Sequence, residues 1–315
     1  MRIARLDRPG RFTLADEDEP PIGPDEVRVR VAACGVCASE LDIYDGAAGH
    51  ATYPWYPGHE VSGTVEETGP DVKALRPGDG VAAWVTTRGF AETVAVKEAY
   101  CEPADGVPLD VALAEPLACA VNAVELAAPA LGDDVVVIGA GFMGLLITRL
   151  LALGGPRSLV VADVRSEALE RAAAAGATAT VDVSSTSLAE AVMRETGDAG
   201  ADVTIEATGS QRALDEVGDV TRMSGTIAIA GYHQGAPRQI PLAHWNWMAF
   251  RIANAHFRDP AVIMHGLRTA MRLLASRAIE LDDLVTHRYD LDRIDEAFRT
   301  AIDKPDGFVK ATVIP

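Results

Sequence analysis

Cysteine, lysine and aromatic residues are scarce in this chain, and positive charge falls well short of negative. Four of the 315 residues are cysteine: Cys34, Cys37, Cys101 and Cys119. Their spacing offers no disulfide framework and fits a reducing compartment. Cys34 and Cys37 form one close pair while the other two stand alone, which argues against a closed four-cysteine zinc knuckle. Lysine occurs only at 73, 97, 304 and 310, and Lys plus Arg total 28 against 46 Asp plus Glu, a formal net charge of -18. A surface of that sign repels phosphate polymers and anionic lipid, so nucleic acid and membrane are disfavoured as partners. The shortage of lysine fits either genome composition or a salty cytoplasm.

No long apolar run is free of glycine and charge. The most apolar stretch, 135–153, contains Gly139, Gly141, Gly144 and Arg149 and follows Asp133 and Asp134. It reads as strand, turn and helix rather than as a membrane span. The first eight residues, Met1 to Arg8, carry charges every few positions, unlike a secretory signal, so a cytoplasmic location is expected. A hydrophobic content of 48% over this length predicts packed cores in two domains.

What is present falls into two patterns. From Val27 to Ala33 apolar and polar residues alternate, the period of a half-buried strand, and Pro20, Pro21, Gly23 and Pro24 before it are turn material. Further β-type runs at 60–66, 81–85 and 90–96 are separated by glycine and proline turns, which predicts a compact β-barrel or sandwich. At Val135 the pattern changes to alternating strands and helices. Strands are predicted at 135–138, 159–162, 179–183, 203–206 and 226–230, with helices at 145–153, 166–174, 188–195 and 212–220. This is a doubly wound parallel sheet, with 226–230 expected at its edge. A strand-like 250–255, a helix within 261–277 and an apolar tail at 308–315 follow.

Each pattern carries chemistry. In the β-rich part, Cys34-Gly-Val-Cys37-Ala-Ser39-Glu40-Leu-Asp42 and Pro57-Gly58-His59-Glu60 supply sulfur, imidazole and carboxylates, the donors zinc accepts. Cys37 and His59 are the first two candidate ligands. Glu60 follows His59 directly and is an alternate ligand or catalytic carboxylate. The cysteines also read as plain buried thiols. In the second part, Gly139-Ala-Gly141-Phe142-Met143-Gly144 lies between a buried strand and a helix, the setting of a dinucleotide fingerprint. Asp163 ends the next strand, where a carboxylate receives ribose hydroxyls and repels a 2′-phosphate. NAD is therefore the expected cofactor. Arg165 either lies along the adenine edge or attracts a 2′-phosphate.

These motifs, together with Pro77-Gly78-Asp79, Glu115-Pro116-Leu117 and Glu206-Ala-Thr-Gly209, resemble the medium-chain dehydrogenase/reductase superfamily and its zinc-dependent alcohol and polyol dehydrogenases. The resemblance covers nearly the whole chain. It implies a GroES-like β-barrel catalytic domain from residues 1–118 and 256–315, a Rossmann domain over 119–255, and an active site in the cleft between them. It makes Cys37 and His59 zinc ligands and Glu115 the third. Without the family, Glu115 reads as a carboxylate at a helix start. The loop that holds a structural zinc in many relatives is missing, so one zinc per chain is expected. Glu40 stands where relatives usually have Asp, and Asp42 where many have a proton-relaying His.

The resemblance further implies that Ser39 takes the proton of an alcohol while hydride passes to the nicotinamide. The expected substrate is an unphosphorylated secondary alcohol within a polyol, cyclitol or sugar-like molecule. Tyr44, His50, Asn122 and His256 are candidate hydrogen-bonding contacts, and Trp55 and Tyr56 a candidate apolar wall. A homodimer or homotetramer is expected. The alternatives are a redox-neutral sugar-modifying enzyme using bound NAD, a zinc-free quinone or enone reductase, and an NAD(H)-sensing protein without activity.

Overall fold

The computed structural model of the chain describes residues 1–48 and 51–315. It contains two compact units, Met1–Ala118 with Met264–Pro315, and Cys119–Ile263. The second boundary thus falls after 263 and not after 255, because the intervening segment is bonded into the second unit. Ala255 N–H donates to Ile229 O at 2.9 Å, and Val262 O accepts from Asn122 Nδ2 at 3.1 Å.

The first unit begins with an antiparallel hairpin, β1 (Arg2–Arg8) and β2 (Arg11–Asp16). In β3 (Glu26–Gly35) the alternation is realised: Val27, Val29 and Val31 are buried. On the other face Arg28 pairs with Glu19 and Glu67, and Arg30 with Glu66. The short helix α1 (Ala38–Asp45) follows, then β4 (Glu60–Thr68), β5 (Gly80–Trp84), β6 (Thr93–Lys97) and β7 (Cys101–Pro103). The run expected to pair from residue 90 enters β6 only at Thr93. Phe90 is used elsewhere: its carbonyl accepts from Ala4 N–H and its ring is fully buried. Helix α2 (Ala114–Ala127) leads the chain into the second unit.

There, β8 (Asp134–Ile138), α3 (Phe142–Leu153), β9 (Ser158–Asp163), α4 (Ser166–Ala174), β10 (Ala179–Asp182) and α5 (Leu188–Thr196) alternate as expected. They continue into β11 (Ala201–Glu206), α6 (Gln211–Val220), β12 (Thr221–Ile229), α7 (Leu242–Trp247) and β13 (Arg251–Asn254). The sheet is parallel with order β10-β9-β8-β11-β12-β13. The expectation that 226–230 forms the edge is corrected: β12 lies between β11 and β13, with Ile227 and Ala228 fully buried, and β13 is the edge. All five residues of β8 are buried, as a near-continuous apolar run between two covered faces requires.

Helix α8 (Pro260–Ala275), β14 (Val285–Asp290), α9 (Ile294–Asp303) and β15 (Lys310–Ile314) complete the chain. β14 and β15 join the seven-stranded sheet of the first unit, ordered β14-β15-β3-β4-β5-β7, with β6 also on β3. The long β3 makes this possible. Its residues 26–30 pair with β6, and Cys34 and Gly35 pair with β15. Chain end and metal motif are thereby brought side by side. Beneath them Phe12, Tyr44 and Phe298 pack with ring centroids 5.0 to 5.5 Å apart, and Phe90 joins Phe298 at 5.6 Å. Such ring clusters add to the area term and fix the core.

Candidate active site

The metal motif is assembled where β3 ends and β4 begins. Cys37 is the extended residue before α1, and His59 precedes β4, whose first residue Glu60 lies opposite Gly35. The pairing brings one donor atom each of Cys37, His59 and Glu60 within 4.8 Å of one another. Sulfur, imidazole nitrogen and carboxylate oxygen at that separation fit a zinc ion. Cys34, three residues earlier, is different. Burial, then Glu40 and Glu60, push its thiol well above the usual value, so it stays neutral and packs in the core.

Glu40 orients the imidazole. Its buried Oε1 accepts from Gly58 N–H at 2.7 Å and from His59 Nδ1–H at 3.0 Å, which leaves His59 Nε2 to face a ligand. Burial works against a charged His59 ring. The negative groups around it, Glu40 foremost and Cys37 next, outweigh that and raise its pKa well above the ordinary imidazole range. The pocket favours positive charge. Ser39 Oγ–H donates to Cys37 Sγ at 3.2 Å, and Asp42 lies one helical turn further along α1. Glu115 stands in the first turn of α2, while the three donors that converge are those of Cys37, His59 and Glu60.

Lys310 was not singled out by its sequence. It is 5% exposed, and its Nζ lies 2.7 Å from Glu60 Oε1, 2.6 Å from Oε2 and 2.9 Å from Val36 O. Burial disfavours its charge, but Glu60 first, then Cys37 and Glu115 hold the ammonium protonated. The available signal is one lysine opening a terminal strand that carries no other charge.

In the second unit the glycine loop follows β8. Gly139 has φ 106°, and α3 starts at Phe142, three residues before the expected 145, so Phe142, Met143 and Gly144 form its first turn. Gly144 is required by close approach: a Cβ there would stand 1.8 Å from Gly139 O. Asp163 Oδ2 accepts from Ala140 N–H at 2.7 Å, and its Oδ1 from Arg165 N–H at 3.0 Å and Nε–H at 3.2 Å. Carboxylate and glycine loop are thus one structure. Glu206 opens the Glu206-Ala-Thr-Gly209 motif. It is fully buried and ties two loops together. It accepts from Thr208 N–H at 2.6 Å and Gly209 N–H at 2.8 Å, and its Oε2 from His233 Nε2–H at 2.9 Å.

The candidate substrate residues fare unevenly. Tyr44 is corrected to a core residue: it is 2% exposed, its ring is stacked on Phe12, and its hydroxyl bonds Asp295. Trp55 pairs with Leu6 through both backbone groups and packs on the core. Tyr56 lies under the Arg88 guanidinium and donates to Glu17 at 2.9 Å, so it forms no bare apolar wall. His256 Nε2–H donates to Gly231 O at 3.1 Å, and burial lowers its pKa, keeping the ring neutral. Asn122 is buried, and its Oδ1 has no protein partner. His50 lies outside the described residues.

Residues 23–109 match the family described as alcohol dehydrogenase GroES-like domain, and residues 143–276 the family described as zinc-binding dehydrogenase. Sorbitol dehydrogenase of Ovis aries is 30% identical over 93% of this chain and 91% of its own. A Sinorhizobium meliloti 1021 protein assigned as a zinc-binding dehydrogenase, solved bound to NADP, is 28% identical with a TM-score of 0.87, covering 100% of this chain and 99% of that one. Galactitol-1-phosphate dehydrogenase from Escherichia coli is 26% identical with a TM-score of 0.86 and full coverage of both, at 100% each. The chain belongs to the medium-chain dehydrogenase superfamily, in its polyol dehydrogenase branch. It is an oxidoreductase of the zinc-dependent kind.

Proposed function

We propose that this protein interconverts a secondary alcohol of an unphosphorylated polyol, cyclitol or sugar-like molecule with the matching ketone, using NAD. The observation that carries the reading is the convergence of Cys37, His59 and Glu60 at the meeting of β3 and β4, with Glu40 fixing the imidazole. Cys37 and His59 would hold one zinc, with Glu115 or Glu60 completing the protein donors. When bound, zinc supplies Lewis acidity and a template for the substrate oxygen, and NAD supplies the hydride acceptor.

The chain's own residues do the rest. Ser39 Oγ accepts the alcohol proton and passes it toward solvent, with Asp42 one turn further along the helix. Glu40 keeps His59 Nδ1 protonated so that Nε2 stays a donor. Gly139 to Gly144 cradle the pyrophosphate at the start of α3, and Asp163, held by Ala140 N–H, receives the adenosine ribose. Arg165 is paired with Asp163, which leaves the carboxylate to disfavour a 2′-phosphate. Asn122 and His256 offer polar contacts to hydroxyls. The edge strand β13 with exposed Ile252, and exposed Leu242 and Trp247 on α7, support a homodimer or homotetramer.

A panel of polyols, sugars, simple alcohols and their phosphates, run with NAD and with NADP, tests the reading. Zinc-dependent NADH formation from an unphosphorylated polyol or sugar is the expected result. Preference for a sugar phosphate, for a linear primary alcohol or for NADP overturns the corresponding part.

A further inference from the structure

The turns that follow β11 and β12 are locked together. Glu206 ends β11, and its backbone carbonyl accepts from Ala230 N–H and Gly231 N–H, both at 2.8 Å. Its buried carboxylate takes Thr208 N–H and Gly209 N–H from the first turn and His233 Nε2–H from the second. Two glycines are required by this closeness. A Cβ at Gly209, where φ is 72°, would stand 2.6 Å from Tyr232 O, and one at Gly231 would collide with Gly209 N.

His233 closes the lock from the outer side. A guanidinium only donates, so Arg238 Nε–H, 3.2 Å from His233 Nδ1, makes that nitrogen the acceptor and places the ring proton on Nε2, toward Glu206. Arg238 also donates to Gly209 O and to Ala236 O, each at 3.1 Å. Carboxylate, imidazole and guanidinium thus run in one line outward from the end of β11. A network in which each partner orients the next holds a loop more firmly than its separate bonds would.

The locked turns abut the glycine loop. Ala207 N–H donates to Ile138 O at 2.9 Å, and a Cβ at Gly139 would stand 2.6 Å from Thr208 Cγ2. In a doubly wound sheet a dinucleotide lies across the carboxyl ends of the strands where their order reverses, which here is between β8 and β11. Asp163, at the end of β9, receives the adenosine side. The other half of the cofactor therefore falls on the side of β11 and β12, where the locked turns stand.

Resting on the cofactor reading above, we propose that His233 is a positioning residue for the nicotinamide ring. By joining Glu206 to Arg238 it fixes the turn after β12 in the form on which the ring rests. The adenosine and pyrophosphate contacts, made through Asp163 and the glycine loop, do not pass through it.

Calorimetry on the full chain with NADH and with ADP-ribose, which lacks the nicotinamide ring, is the test. His233→Ala is expected to weaken NADH binding about tenfold, as loss of a hydrogen bond to a charged group does, and to leave ADP-ribose at its wild-type affinity. His233→Gln, whose amide both donates and accepts, is expected to recover most of the loss. Equal weakening of the two ligands would reveal a general structural role and overturns the inference, as does unchanged NADH affinity in His233→Ala or a His233→Gln chain that binds NADH no better. Should His233→Ala fail to fold, Arg238→Ala decides, since it removes only the outer donor: a loss confined to NADH supports the inference and any other pattern overturns it. Wild-type chain that binds neither ligand overturns the cofactor reading and the inference with it.

Discussion

At the residue scale, Ser39 combines two duties, since the hydroxyl proposed to take the substrate proton rests on the Cys37 sulfur. Ser39→Ala is expected to lower kcat on the order of a hundredfold, the usual cost of a lost proton-transfer group. NADH binding, read by fluorescence, should be unchanged, because the cofactor motifs belong to the other compact unit. Metal content measured alongside separates proton transfer from loss of the hydrogen bond to sulfur. Undiminished turnover would assign the proton to another group. Which residues do this work was partly legible. Cys37 and His59 stand out by residue type and spacing, while Lys310 and Glu60 are 250 positions apart and nothing local couples them.

Among the elements, the turn from β8 into α3 is the least tolerant of change. Gly144→Ala places a methyl against the Gly139 carbonyl, a backbone atom that cannot swing aside. A loss of roughly 1–3 kcal/mol, the cost of overpacking, is expected by urea denaturation, together with weaker NADH binding. An unchanged midpoint would show that the loop relaxes freely. The strand pair β8 and β11 carries a pH signature. Desolvation works to raise the Asp202 pKa. Hydrogen bonds from Asp134 N–H at 2.8 Å and Arg222 Nε–H at 2.6 Å outweigh it and hold the carboxyl below its ordinary 3.8. A depressed folded-state pKa stabilises at pH above the unfolded value and is lost as pH falls through the folded one. Asp202→Asn should therefore be less stable than wild type at neutral pH, and the gap in denaturation midpoint should shrink below the ordinary value. A gap independent of pH would sink this assignment.

For the whole molecule, one zinc per chain is expected from metal analysis, and removing it with a chelator should abolish alcohol oxidation while sparing NADH binding. Two tightly held zincs per chain would contradict the reading. Light scattering should show a dimer or tetramer. β13 exposes Ile252, which is 48% accessible, and α7 exposes Trp247 at 78%, apolar surface that a lone subunit would leave in water. A monomer at working concentration would require another account of that face.

The sequence by itself determined the elements whose periodicity is local: the alternation in β3, the glycine loop between β8 and α3, Asp163 at the end of β9, and the strand and helix succession that makes a doubly wound sheet. It also determined the donor types at Cys37 and His59, because zinc selects sulfur and imidazole wherever the chain provides them. Only the tertiary structure decided that β13 rather than β12 forms the sheet edge, since strand order depends on which surfaces remain to be covered. It alone turned Tyr44 into an aromatic core and Trp55 into a strand pairing, because a side chain's direction follows from packing and not from its neighbours in sequence. It also set Lys310 against Glu60, a pairing that exists because β15 returns from the far end of the chain to lie beside β3.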